Sequence, residues 1–280
     1  MQGAARIGLI VIGFCVGWPM PESNAADIED YKQAIAKDDP AELVALLRAD
    51  GRQTPRDAEG NTVLHLACSP LAWRNRAGAV AAVLAAGADP NAANDRGFTP
   101  LHFAATTDCT DCVKALIAAG ANVGTRRIGG KTPLHFSSAT ALPLLLAAGA
   151  DLKVRDDDGR TVLHTSSLTD ARLRVLGVNV TDRFGFTPLH YAALQGTDER
   201  IDWLLASGAD PALQSTAAFT NRHLIDVAAF DADLLEFPAG QRPFDLARFR
   251  HEQTRWSSGR YRSTFERLDK VTPRRSFFSR

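Results

Sequence analysis

Apolar positions along this chain follow a pattern that restarts every few dozen residues. The stretch Gly97-Phe98-Thr99-Pro100-Leu101-His102-Phe103-Ala104-Ala105 opens one unit. Gly97 permits the positive φ of a turn, Thr99 suits a helix N-cap, and Pro100 suits the first helical position. After a polar break, Val113, Leu116 and Ile117 recur at helical spacing up to Gly120, which stands where a helix C-terminal glycine belongs. The unit therefore predicts turn, short helix, turn, second helix. Neither helix can bury its apolar stripe alone, so neighbouring units must stack and share a core.

The unit returns five times, marked by Thr-Pro/Val-Leu-His at Thr62 to His65, Thr99 to His102, Thr132 to His135, Thr161 to His164 and Thr187 to His190. A glycine lies two residues before each copy, and each unit closes on Gly-Ala-Asp or a near variant, as at Gly87, Gly120, Gly149, Gly177 and Gly208. These motifs resemble the ankyrin repeat, whose signature includes T-P-L-H-x-A at a period of roughly 33 residues. The resemblance implies an all-α solenoid of helix-turn-helix units joined by β-turn or hairpin-like loops. It also implies that the five motif histidines are structural, hydrogen-bonding within and between neighbouring turns.

Spacing then divides the chain. The turn glycines Gly60, Gly97, Gly130, Gly159, Gly185 and Gly240 stand 37, 33, 29, 26 and 55 residues apart. Five repeats are expected over 60–239, at 60–96, 97–129, 130–158, 159–184 and 185–239. A capping helix pair is expected over 26–59, and a degenerate capping repeat with a basic tail over 240–280. The first repeat carries extra residues near Ser69 to Gly78, placing Trp73, Arg74 and Arg76 on an exposed inter-helix loop. The third and fourth are short, so their helices should be stubby. The fifth holds an insertion at about 212–239 whose apolar residues, Leu224 and Phe230 among them, predict that it folds back on the solenoid. In the last unit Asp245 replaces the motif histidine, a helix is expected near Tyr261 to Leu268, and Thr272 to Arg280 has no pattern for burial.

Residues 1–25 read as a secretory signal, with Arg6 before an apolar run from Ile7 to Trp18 and cleavage expected after Ala25. That makes the protein exported, in a bacterial setting periplasmic. Secretion, or an uncleaved anchor that associates with the membrane, are the alternatives. Net charge is zero, but residues 240–280 hold 11 Lys+Arg against 4 Asp+Glu, and residues 26–239 hold 20 against 27. A basic end on an acidic body could steer an acidic partner or attract its own body. Loss of the signal leaves Cys68, Cys109 and Cys112, an odd number. Cys109 and Cys112 form a C-x-x-C that can close as a disulfide or remain buried thiols.

No catalytic constellation emerges. Ser137-Ser138 and Ser166-Ser167 stand at small-residue packing positions, not in a nucleophile elbow. Gly129-Gly130-Lys131-Thr132 lacks the spacing of a phosphate loop, and Asp156-Asp157-Asp158-Gly159 lacks that of a calcium loop. The expectation is a non-enzyme with no cofactor and no metal, a monomer that binds a protein and neither nucleic acid nor a small-molecule substrate. In ankyrin proteins partners dock on the concave face made by turn tips and first helices. That face would carry Arg96, Phe98, Arg126, Arg127, Ile128, Arg155, Arg183 and Phe184 at the tips. Phe103, Phe136 and Tyr191 would join them from the first helices, since Arg and aromatics dominate hot spots. A redox role for Cys109 and Cys112, and an exported effector or immunity-type inhibitor, are the alternatives.

Overall fold

The first helix of each unit begins at the motif threonine, whose extended backbone ends the turn. Thr99 has φ −103° and ψ 164°, Pro100 follows at the first helical position, and α5 runs Pro100–Ala105. The side chain that reaches back to the exposed amide is not the threonine but the histidine three residues on: the Thr99 amide donates to His102 Nδ1 at 3.1 Å. Thr99 is thus the N-cap expected from the sequence, with His102 completing a capping box, and the same contact recurs at Thr62, Thr132, Thr161 and Thr187.

The computed structural model describes residues 27–37, 39–49, 55–69, 76–166, 168–220, 236–237, 239–253 and 260–272. Helices α1 (Ile28–Ala36) and α2 (Pro40–Ala49) precede the first motif, with Asp39 accepting from the Ala41 and Glu42 amides at the start of α2. Then come α3 (Val63–Cys68) with α4 (Arg76–Ala85), and α5 with α6 (Thr110–Ala118). The third unit has a 3-10 turn at Pro133–Phe136 and α7 (Ala141–Ala147); the fourth has α8 (Val162–Thr165) and a 3-10 turn at Ala171–Leu176. Last are α9 (Pro188–Gln195) with α10 (Asp198–Ala206), and α11 (Pro243–Gln253) with α12 (Arg260–Val271).

Two layers result. First helices stack in the order α1, α3, α5, Pro133–Phe136, α8, α9, α11, and second helices in the order α2, α4, α6, α7. Burial is therefore shared between repeats: Leu101, Leu134 and Leu163 are sealed between consecutive first helices, and Val83, Leu116 and Leu145 between second helices. At the open ends the turns zip together through backbone bonds. Asp95 N donates to Glu59 O, Ile128 N to Arg96 O, Asp157 N to Gly129 O, Arg183 N to Asp158 O and Thr216 N to Phe184 O, all at 2.8–3.2 Å.

The insertion sits inside one such turn. Where the first repeat meets the second, Asn94 and Phe98 close a turn whose tip is Asp95 and Arg96. The equivalent closure pairs Ser215 with Gln241 (2.8 Å) and with Gly240 (2.9 Å), so the extra residues enter the chain at the tip of a turn whose base stays shut. Strands β1 (Phe219–Thr220) and β2 (Glu236–Phe237) pair antiparallel as its stem. Residues 221–235, with the apolar run expected to fold back, lie outside the described residues, as do the signal segment, Trp73 and Arg74.

At the C-terminus Asp245 takes over from the histidine. Its carboxylate accepts the Arg242 amide at 3.0 Å and pairs with the Arg242 guanidinium at 3.0 Å, so a carboxylate and an arginine replace imidazole and threonine. Helix α12 is fastened across α10 through Asp198, which accepts from Ser263 and Thr264 and pairs with Arg267. Part of the basic end is thus neutralised by the body. Thr272, expected to fray, is buried and donates its amide to Leu268 O.

Candidate functional site

The buried histidines tie each repeat to the next. His65, His102, His135, His164 and His190 place Nε2 at 2.9, 3.3, 3.1, 3.2 and 3.0 Å from the carbonyls of Phe98, Lys131, Arg160, Phe186 and Gln241. Each acceptor immediately precedes the next unit's motif threonine or, in the last unit, Arg242. A carbonyl can only accept, so Nε2 carries the hydrogen and Nδ1 is the acceptor. Burial pushes all five below the usual imidazole value, against the pull of those carbonyls: to about 4 for His102, His135 and His190, and to about 3 for His164. The row is neutral and load-sharing rather than reactive.

Several arginines expected at the docking face are engaged in the stack. Arg126 and Arg155 occupy places equivalent to that of Arg56, which was not expected at that face, and Arg56, Arg126 and Arg155 each donate to the carbonyl at that place in the following repeat: Ala93, Arg155 and Thr181, at 2.8–3.0 Å. Arg183 pairs with Asp158 at 2.7 Å and lies over the half-buried Phe184 ring at 4.7 Å. Arg127 and Tyr191 must be withdrawn as docking residues, being 8% and 3% exposed. Arg127 stands where other turns carry the Asn94, Asp156 or Asp182 oxygen that accepts turn amides. A guanidinium cannot accept, so it turns inward, 4.7 Å from the Phe98 ring and 5.2 Å from the Phe136 ring. The Tyr191 hydroxyl donates to Asp182 at 2.6 Å beside Arg160, itself paired with Asp156 and Asp158. Burial holds Asp182 above the usual carboxylate value, against the hydrogen bond from Tyr191.

What stays open is an aromatic patch. Phe98 lies 5.7 Å from Phe103 and 5.6 Å from Phe136, all three half-buried, with Phe103 edge-on to His65 and Phe136 edge-on to His102. Exposed Arg96 leans over Phe98 at 5.7 Å, and Ile128, 67% exposed, stands on the adjoining tip.

Beyond Phe136 the surface sinks into a groove of about 600 Å³. Its walls are the ends of the first helices of the second, third and fourth repeats and the loops after them. Thr106 and Asp108 come from the second repeat, Ser137 and Ser138 from the third, Thr165 and Ser166 from the fourth. The groove exists because the chain is short there: first helices that run six and eight residues in α5 and α9 shrink to four at Pro133–Phe136 and in α8. In the sequence those serines stand at small-residue packing positions. The contracted glycine spacing was the available signal, but a shorter helix can close up or leave a recess, and spacing does not say which.

Cys109 and Cys112 are joined by a disulfide that spans the first turn of α6, with Cys109 at the N-cap. Cys68 is buried and takes no part in that disulfide. Among the described residues no cluster could hold a metal ion, and no helix is long and apolar enough to cross a membrane.

Comparison with known proteins covers much of this architecture. Family models match residues 59–95 (Ankyrin repeat), 83–137 (Ankyrin repeats, many copies) and 136–215 (Ankyrin repeats, 3 copies), which together span more than half of the chain. The crystal structure of the ankyrin repeat domain of Bcl-3, described as a unique member of the IkappaB protein family, is similar at 26% identity and a TM-score of 0.50. That likeness covers 66% of this chain and 89% of that one. In all, 560 chains of solved structures match, so the shared architecture singles out no partner. No curated protein matches this chain.

Proposed function

We propose, from the premise that this chain belongs to the ankyrin-repeat family, that it is a non-catalytic recognition module docking a protein partner on the face made by turn tips and first helices. Repeats of this family generally mediate protein–protein interaction and are typically not enzymes. The observation that supports this face is the Phe98, Phe103 and Phe136 patch, flanked by Arg96 and Ile128, since half-buried aromatics beside an arginine are the usual make-up of a hot spot. A matched pair of substitutions tests it. Ile128 and Val175 are 67% and 68% exposed, one on a turn tip and the other in the second-helix layer, and neither change disturbs the core. Partner capture by the chain is expected to be lost in Ile128→Asp and kept in Val175→Asp; equal capture by both would overturn the assignment.

We further propose that the chain is exported and acts in the periplasm. The n-region and apolar run of residues 1–25 support this, as does the Cys109–Cys112 disulfide, which persists in oxidising compartments. Sequencing the mature N-terminus should give Ala26 as the first residue. Recovery of an intact N-terminus from the membrane would favour an anchor instead.

A further inference from the structure

We infer that the groove behind Phe136 receives a basic side chain, arginine or lysine, from the partner segment that docks on the face described above; the inference rests on that docking reading. The argument is one of hydrogen-bond polarity. Five wall hydroxyls direct their only proton to a backbone carbonyl: Thr106 to Phe103, Ser137 to Leu134, Ser138 to Thr107, Thr165 to His135 and Ser166 to Val162, at 2.8–3.0 Å. Carbonyls only accept, so what Thr106, Thr165 and Ser166 can offer a ligand is oxygen lone pairs, while Ser137 is buried and the Ser138 oxygen also accepts from the Ala141 amide at 3.2 Å. A ligand fitting such a wall must bring donors, and an ammonium or guanidinium brings nothing else.

Charge points the same way. Asp108 is exposed on the groove wall and accepts from Thr140 at 3.3 Å, yet among the described residues it has no basic partner. Asp111, three residues on, pairs with Lys114, and Asp170, next in sequence to the lining Thr169, pairs with Arg172. Phe136 adds a ring at the groove's mouth, and rings attract cations. The cations already against that ring, Arg127 and Lys131, are buried and form no part of the wall. An anion entering here would face lone pairs and a carboxylate.

The test uses the full chain, labelled with 15N, titrated with three blocked tripeptides that carry arginine, citrulline or glutamate between glycines. Citrulline keeps the shape of arginine but not its charge, and a carbonyl oxygen that only accepts replaces one of its NH2 donors. The arginine peptide is expected to shift the amides of Ser137, Ser138, Thr165 and Ser166. The citrulline peptide should bind on the order of tenfold more weakly, and the glutamate peptide not at all. Asp108→Asn, an exposed change that leaves the fold intact, should reduce arginine binding to the citrulline level, and Thr165→Val should weaken it without moving that ratio. Absence of shifts at those amides, equal binding of arginine and citrulline, or an Asp108→Asn protein that binds as before overturns the inference. So does binding of free spermidine without binding of the arginine peptide. The Ile128→Asp capture result reads the docking face separately. Capture lost with no arginine shifts removes only the groove, whereas capture retained removes the face on which the groove depends.

Discussion

Histidine serves here as a neutral two-ended connector, and that dictates a pH response. Its Nδ1 accepts from its own repeat and its Nε2 donates to the next, an arrangement that a second ring proton would break. The folded values near 4 lie below the ordinary 6.5, so between the two the unfolded chain binds more protons than the folded one. Stability is therefore complete above the unfolded value and falls as pH drops from 6.5 toward 4. Melting temperature should be level from about pH 8 to 7 and decline below that. His135→Gln can still offer a donor toward the Arg160 carbonyl but takes up no proton, so its decline should be shallower than that of the wild type. Identical slopes would mean that carboxylates alone carry the acid response. The role of this residue is legible in the motif. The inward turn of Arg127 is not, because it depends on two rings supplied by neighbouring repeats.

At the scale of the element, the turn glycines divide into two kinds. Gly97 has φ +76° with the Arg127 Cα 3.1 Å and the Ile128 amide 3.2 Å from where a Cβ would stand. Gly120 has φ +88° and nothing within 4 Å. Gly97→Ala should therefore cost about 2–3 kcal/mol, combining backbone strain with displacement of the next turn, and Gly120→Ala about 1 kcal/mol from strain alone. Urea unfolding of the two variants measures the difference; equal costs would mean that the tips give way easily. Both glycines are legible in the sequence as turn residues. Their inequality is not, since one faces solvent and the other the following repeat. The same applies to the shortened first helices, whose brevity follows from glycines 29 and 26 residues apart but whose groove depends on how the flanking repeats hold their distance.

Across the whole molecule the stack has a joint. Buried apolar side chains among the described residues form one group from Tyr31 to Leu173 and another from Val178 to Leu268, separating at the short fourth repeat. Trp203 packs against both, flanked by Arg200 at 4.8 Å and Arg174 at 5.7 Å. Arg200 is itself buried, donates to the Leu163 carbonyl of α8 at 3.2 Å, and is pushed down to about 10 by burial. A cation thus partly fills the space that a longer helix would have occupied. Because repeat stacks transmit stability between neighbours, Trp203→Ala should split unfolding into two transitions, the C-terminal part melting first. A single cooperative transition shifted to lower denaturant would show that other contacts suffice across the joint.

The structural use of five histidines came from the resemblance to the ankyrin repeat, whereas the recurrent Thr-x-Leu-His and its glycines determined by themselves the all-α stack and the places where repeats contract or swell. These follow from local backbone preference and apolar periodicity, which a short segment carries within itself. Tertiary structure alone decided which arginines brace the stack, that Tyr191 and Arg127 are sealed inside, that the insertion enters at a turn tip, and that lost residues leave an acceptor-lined groove. Each of those depends on what a neighbouring repeat places opposite a side chain, a relation that spans some thirty residues of sequence and is set only when the units pack.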